Sequence, residues 1–157
     1  MVRTKISNII NLKSYIYEKL LPDKKIKLAL SSIYPNAMDV EWTFKNNAYE
    51  ATFTQEGVYK VVCFDETGMV KEEKVTQSEL QLPGSIRQIL YDKYQMRLLV
   101  SATIIRSQRK ELFEIIFDSQ DKSRYLLQFD KNSNLIKEQL LFAIKKGLLS
   151  TFKRNPK

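Results

Sequence analysis

Cys63, the carboxylates of Asp65-Glu66, Glu72-Glu73, Asp118 and Asp121, and the serines Ser31, Ser32 and Ser101 are the side chains whose type could do chemistry. A thiol or hydroxyl nucleophile needs an activating base beside it, and the chain contains no His. That absence also removes the commonest zinc ligand. Cys63 is the single Cys, so neither an intrachain disulfide nor a CxxC motif exists, and nothing nearby would lower its pKa. Acid–base catalysis by carboxylates needs two groups in separated environments within a cleft. The acidic pairs fall instead in turns or at strand ends, where Asp and Glu are ordinary. Asp65-Glu66-Thr67-Gly68 looks superficially like a calcium loop but lacks the further oxygen ligands and reads as a turn. Four Gly residues could hardly build a phosphate-cradling loop. The expectation is no enzyme: no catalytic residues, no metal site and no cofactor.

Charge is the remaining chemical signal. The formal net charge is +8 over 157 residues. Residues 1–30 carry seven basic side chains against Glu18 and Asp23, a net of +5, and residues 137–157 carry six against Glu138, again +5. The 106 residues between them therefore stand near −2. The excess sits on the two ends, so a whole-chain argument for nucleic acid fails. No apolar run reaches the roughly 18 residues a spanning helix needs. The basic N-terminus is broken by Asn, Lys and Ser and lacks a signal-peptide core. Either the protein is cytosolic or an export signal has been removed.

The elements that must position these groups follow from periodicity. Ile6, Ile9, Ile10, Ile16, Tyr17, Leu20 and Leu21 make one face of a helix over 5–21. Past Pro22, Ile26, Leu30 and Ile33 mark a second helix over about 23–34, which Tyr34-Pro35 ends. The period then becomes two. Val40/Trp42/Phe44, Tyr49/Ala51/Phe53, the run 58–64 and the run 69–75 read as four strands of an antiparallel meander, with turns at Asn46-Asn47, Gly57 and Asp65–Gly68.

The same order recurs. Leu82-Pro83 matches Leu21-Pro22, and Ile86, Leu90 and Tyr94 stand 60 residues after Ile26, Leu30 and Tyr34, on a helix over about 83–94. Val100/Ala102/Ile104, FEIIF at 113–117, YLLQFD at 125–130 and the turn at 130–138 echo their first-half counterparts. This predicts an internal repeat. Leu141, Ile144, Leu148 and Phe152 suggest a further helix over about 138–153. The predicted fold is α+β: two tandem units, each a helix plus a four-stranded antiparallel meander, helices on one face of the sheet, with an extra C-terminal helix. The expected domains are 1–76, a first unit with an N-terminal amphipathic helix; 77–140, a second unit; and 141–157, a C-terminal helix and tail.

LPDKKIKLALSSIYPNAMDVEW at 21–42, followed by AYEATF and VCFDETG, resembles the PepSY-like group of periplasmic proteins that share the fold of the beta-lactamase inhibitor protein. LPGSIRQILYDKYQ at 82–95 is a looser copy, without the Pro after the Tyr, the Trp, or the Gly of the turn. The resemblance covers roughly residues 20–140. It implies helices on one sheet face with the other face open, non-catalytic binding, an inhibitor or accessory role, and a periplasmic or envelope location. It carries no agreed functional residues.

If the apolar alternation faces the helices, the opposite face holds Glu41, Thr43, Thr52, Cys63, Ser101, Thr103, Arg124 and Gln128 together with Tyr59, Val61, Ile105, Ile116 and Leu126. The last five are too apolar for a fully solvated sheet face. A partner, a terminal helix of the chain or a second copy must cover them, and they are the candidate partner-binding residues. A protein partner is the expectation. Self-association and peripheral membrane contact stay open, and nucleic acid is the least favoured. The competing reading is a cytosolic or membrane-peripheral adaptor whose basic terminal helices bind anionic lipid or nucleic acid.

Overall fold

A computed structural model describes residues 21–143 of the chain. The elements run α1 (Lys24–Ile33), β1 (Met38–Lys45), β2 (Ala48–Gln55), β3 (Val58–Phe64), β4 (Val70–Gln77), a short 3-10 turn (Glu79–Gln81), α2 (Gly84–Lys93), β5 (Leu98–Ser107), β6 (Glu111–Asp118), β7 (Arg124–Asp130) and β8 (Leu135–Phe142). The eight strands belong to one sheet, in chain order from β1 to β8. The described residues fall into two compact units. One holds those up to Thr76 together with Ile104–Glu111; the other holds Gln77–Thr103 and those from Leu112 onward.

In the first unit, Asp23 starts α1 by accepting a hydrogen bond from the Ile26 N–H at 3.0 Å. The helix stops at Tyr34, because the following Pro35 disfavours helical backbone there. Ile26 and Leu30, one turn apart, drive into the sheet with Tyr34 and pack on Ala51, Phe53, Val62 and Phe64. The Tyr34 ring meets Phe53 at 5.0 Å and Trp42 meets Phe64 at 5.9 Å. Asn46-Asn47 and Glu56-Gly57 each place two successive residues at positive φ, the geometry that closes a two-residue hairpin with the twist its strands require.

In the second unit, Leu82, Ile86 and Leu90 are buried, as are Ala102, Phe113, Ile115, Phe117, Leu127 and Phe129 on the strands. Tyr94 follows the last turn of α2 and its ring lies 5.2 Å from Phe117. Arg97 finishes this helix. Its Nη1 donates to the carbonyls of Leu90 and Tyr94 at 3.1 and 3.2 Å, and its Nη2 pairs with Glu79. A guanidinium is suited to this, since it satisfies carbonyls that the helix end leaves without donors.

Three expectations are corrected. The fold is a single eight-stranded antiparallel sheet with two helices among the described residues, in place of two tandem helix-plus-four-strand units and a C-terminal helix. Residues 138–142, expected to open that last helix, belong to β8, which pairs with β7 through Leu127↔Glu138, Leu126↔Gln139 and Tyr125↔Leu140. A short apolar run fits either period, and long-range pairing overrides so weak a local preference. The rest of that helix, and the expected helix over 5–21, lie outside the described residues. Val100, assigned to the buried face, is 44% exposed.

Candidate binding face

Side chains alternate along a strand, so burying one face against a helix dictates the other. In the first unit Ala51↔Val62 and Tyr49↔Phe64 lie on the helix side, and the intervening rows face away. One such row runs Glu41, Thr52, Val61, Lys74; the next runs Thr43, Glu50, Cys63, Glu72. Tyr59 sits opposite Thr54 beyond them and is 50% exposed. The Cys63 thiol donates to Glu50 Oε2 at 3.6 Å, and Lys74 Nζ lies 3.4 Å from Glu72. Val61 is thus an apolar residue framed by a threonine, a lysine and the Cys63 row.

The second unit has a tighter arrangement. Ile116 lies directly opposite Leu126. On one side of this apolar pair, Gln128 Nε2 donates to Glu114 at 2.8 Å. On the other, Arg124 grips Asp118 through Nε and Nη2 at 2.7 and 2.8 Å. The Phe142 ring stands 5.1 Å from that guanidinium. Ile116 and Leu126 are half-buried, as Val61 is.

Four of the five expected contact residues therefore remain accessible, in two places: Tyr59 and Val61 in the first unit, Ile116 and Leu126 in the second. Ile105 does not. Both it and Ile104 are 8% exposed, so the alternation that assigned it to the open face breaks at this point of β5. Ile105 is a buried residue out of a partner's reach.

The helix side holds a polar group that periodicity did not reveal. Lys60 and Glu73 lie on the rows of Val75 and Val62. The Tyr34 hydroxyl donates to Glu73 Oε1 at 3.1 Å, Lys60 Nζ is 3.7 Å from the same oxygen and 5.1 Å from the Tyr34 ring, and Arg106 Nη1 is 3.7 Å from Glu73 Oε2. Burial first, then Glu73, pushes the Tyr34 phenol well above its ordinary range. The only hint in the sequence was two charged residues on strands whose neighbours on that face are apolar.

These environments say what the side chains can do. Burial, then the nearby Glu50, raises the Cys63 thiol to about 11. Burial and the Glu138 carboxylate raise Tyr94 to about 12. Hydrogen bonds lower Asp65 (chiefly from Thr67), Asp118 (from Arg124), Asp121 (from Ser119) and Asp130 (from Asn134). Each of these shifts moves a group away from neutrality, the reverse of the tuning that general acid–base catalysis needs. Asp65 holds its turn by accepting from the N–H groups of Thr67 and Met69, and Asp130 does the same for Asn132 and Asn134. Both are Asx turns by geometry. Among the described residues no three His, Cys, Asp or Glu side chains gather as metal ligands would.

No protein-family model matches the chain, and no curated protein matches it in sequence. Solved structures do. A BLIP-like protein from Bacteroides fragilis superposes with a TM-score of 0.68 at 21% identity, covering 82% of this chain and 93% of its own. A DUF2874 family protein from Bacteroides uniformis gives 0.70 at 16%, covering 76% and 90%. A candidate periplasmic protein from Bacteroides eggerthii gives 0.70 at 14%, covering 76% and 89%. At these identities the likeness is one of fold: the chain has the BLIP-like fold, and the narrower PepSY-like resemblance finds no match.

Proposed function

We propose that the chain is a non-catalytic binding module of the bacterial envelope that meets a protein partner on the strand face turned away from the helix in each unit, as an inhibitor or accessory protein. The carrying observation is the apolar content of that face, the Ile116–Leu126 pair between two polar pairs and Val61 beside Tyr59. Apolar anchors ringed by satisfied polar groups are how protein interfaces concentrate their energy. The BLIP-like fold and the candidate periplasmic neighbour support the same reading.

The test is quantitative capture from envelope extract with the full chain as bait. Ile116→Lys with Leu126→Lys, and separately Val61→Lys, should each lower recovery of the captured protein at least tenfold, while Leu80→Lys, on a residue 81% exposed elsewhere, leaves it unchanged. Undiminished capture by the folded face variants would reject the proposal.

A further inference from the structure

The hairpin joining β5 to β6 gathers positive charge in the first unit. The Ser107 N–H donates to the Lys110 carbonyl at 2.9 Å, which closes the hairpin and leaves Gln108 and Arg109 at its tip. Lys71 of β4 meets that tip. It is the extra residue of a bulge, since Cys63 pairs with Glu72 and Phe64 with Val70, and a bulge re-aims the side chain it inserts. Lys71, Ser107, Gln108, Arg109 and Lys110 line a cavity of about 390 Å³. A second cavity, of about 300 Å³, shares the first three of these and extends the trough to Arg106, Ile33 and Val70. All of these residues belong to the first unit.

The charges along the trough do not cancel. Glu73 is committed to the Tyr34 hydroxyl, Lys60 and Arg106, and Glu111 to Arg106 at 2.8 Å, so Arg106 is held in place. Asp65 reaches Lys71 only at 3.7 Å and leaves that side chain 55% exposed. Arg109 and Lys110 are exposed, and neither pairs with a carboxylate among the described residues. Lys60, Lys71, Arg106, Arg109 and Lys110 thus stand against Asp65, Glu73 and Glu111, a net of +2. The described residues of the whole unit carry ten charges of each sign, so the excess is one of placement.

Like charges gathered in this way repel, and an anionic ligand relieves them. Two features say which kind. The cations are strung over two adjoining cavities, whereas a phosphate-sized anion needs them converged on one point. Ile33, 50% exposed, and Val70 add an apolar wall. An extended polypeptide that mixes carboxylate and apolar side chains meets both features. We infer that the trough between the β5–β6 hairpin tip and Lys71 is a docking site for an acidic segment of a partner protein. Arg109, Lys110 and Lys71 receive its carboxylates, and Ile33 with Val70 takes an apolar side chain. The site is separate from the strand face proposed above and does not rest on that reading.

Fluorescence anisotropy of a labelled peptide of alternating Glu and Leu, titrated with the full chain, tests this. Saturable binding that weakens with added salt is expected, and a peptide of alternating Lys and Leu should not bind. Arg109→Glu with Lys110→Glu should weaken binding at least about tenfold, and Lys71→Gln at least about threefold, with unchanged circular dichroism. Lys93→Glu with Lys131→Glu makes the same change of net charge in the other unit and should leave the affinity within about twofold, as should Val61→Lys. No binding of the acidic peptide overturns the inference, as does an equal loss in the Lys93 and Lys131 pair. Binding of inorganic phosphate or of phosphatidylglycerol vesicles in place of the peptide would also overturn it, naming a small anion or a membrane surface as the occupant.

Discussion

Gly68 closes the turn that Asp65 holds, with φ at +85°, and a Cβ there would stand 3.4 Å from the Cβ of Ala29 on α1. Gly57 has a similar φ of +76° with open space around it. Replacement by Ala should therefore cost about 1 kcal/mol at Gly57 from backbone alone and more at Gly68, where Ala29 must also give way. Urea midpoints of the two variants measure the difference, and equal losses would contradict it. The titrating side chains make a second forecast. Asp65, Asp118, Asp121 and Asp130 have depressed folded values, so their contribution is present above the unfolded range near 4 and is lost as pH falls through the folded values. Cys63 and Tyr94 have raised values, so theirs is present below the unfolded range of about 9 to 10 and is lost as pH rises through about 11 and about 12. With no His in the chain, unfolding free energy should be flat between about pH 5.5 and 8 and fall on both sides. A slope within that window, in urea titrations at a series of pH values, would contradict these assignments.

At the scale of elements, α2 depends on a residue well outside it. Arg97 bonds two carbonyls of the helix end and Glu79 before its start. Arg97→Ala should cost about 1.5–3 kcal/mol, since it removes charge-assisted bonds from a half-buried site. A loss below about 0.5 kcal/mol would mean that water replaces the guanidinium without penalty. Both helices and the early strands were legible from spacing: Ile26 with Leu30, Ile86 with Leu90, and Ala51 with Phe53 are local patterns that burial enforces. Arg97 was not, because a cap supplied from beyond the helix leaves no period. Residues 138–142, within the strand Leu135–Phe142, were misread as the start of a helix because what decides them is β7, and Leu140 can serve either period. The Tyr34–Glu73 bond spans 39 residues and was invisible for the same reason.

For the whole molecule, composition set the chemical expectation: the absence of His and the single Cys pointed away from catalysis before any geometry was known. The arrangement of strands into one sheet was not accessible, since eight similar alternating segments do not say whether they share a sheet. The open face was partly legible. Tyr59, Val61, Ile116 and Leu126 followed from alternation, while Ile105 failed where Ile104 and Ile105 are buried together. On the proposed reading this face is surface kept for a partner and contributes little to the fold. Urea unfolding of the full chain carrying Val61→Lys or Ile116→Lys, beside Ile115→Lys, tests it most directly. Losses below about 1.5 kcal/mol are expected for the first two, and failure to fold for the third, which buries a charge in the core. Unfolding of Val61→Lys or Ile116→Lys as complete as that of Ile115→Lys would show that the face belongs to the protein's own core and is not a partner's surface.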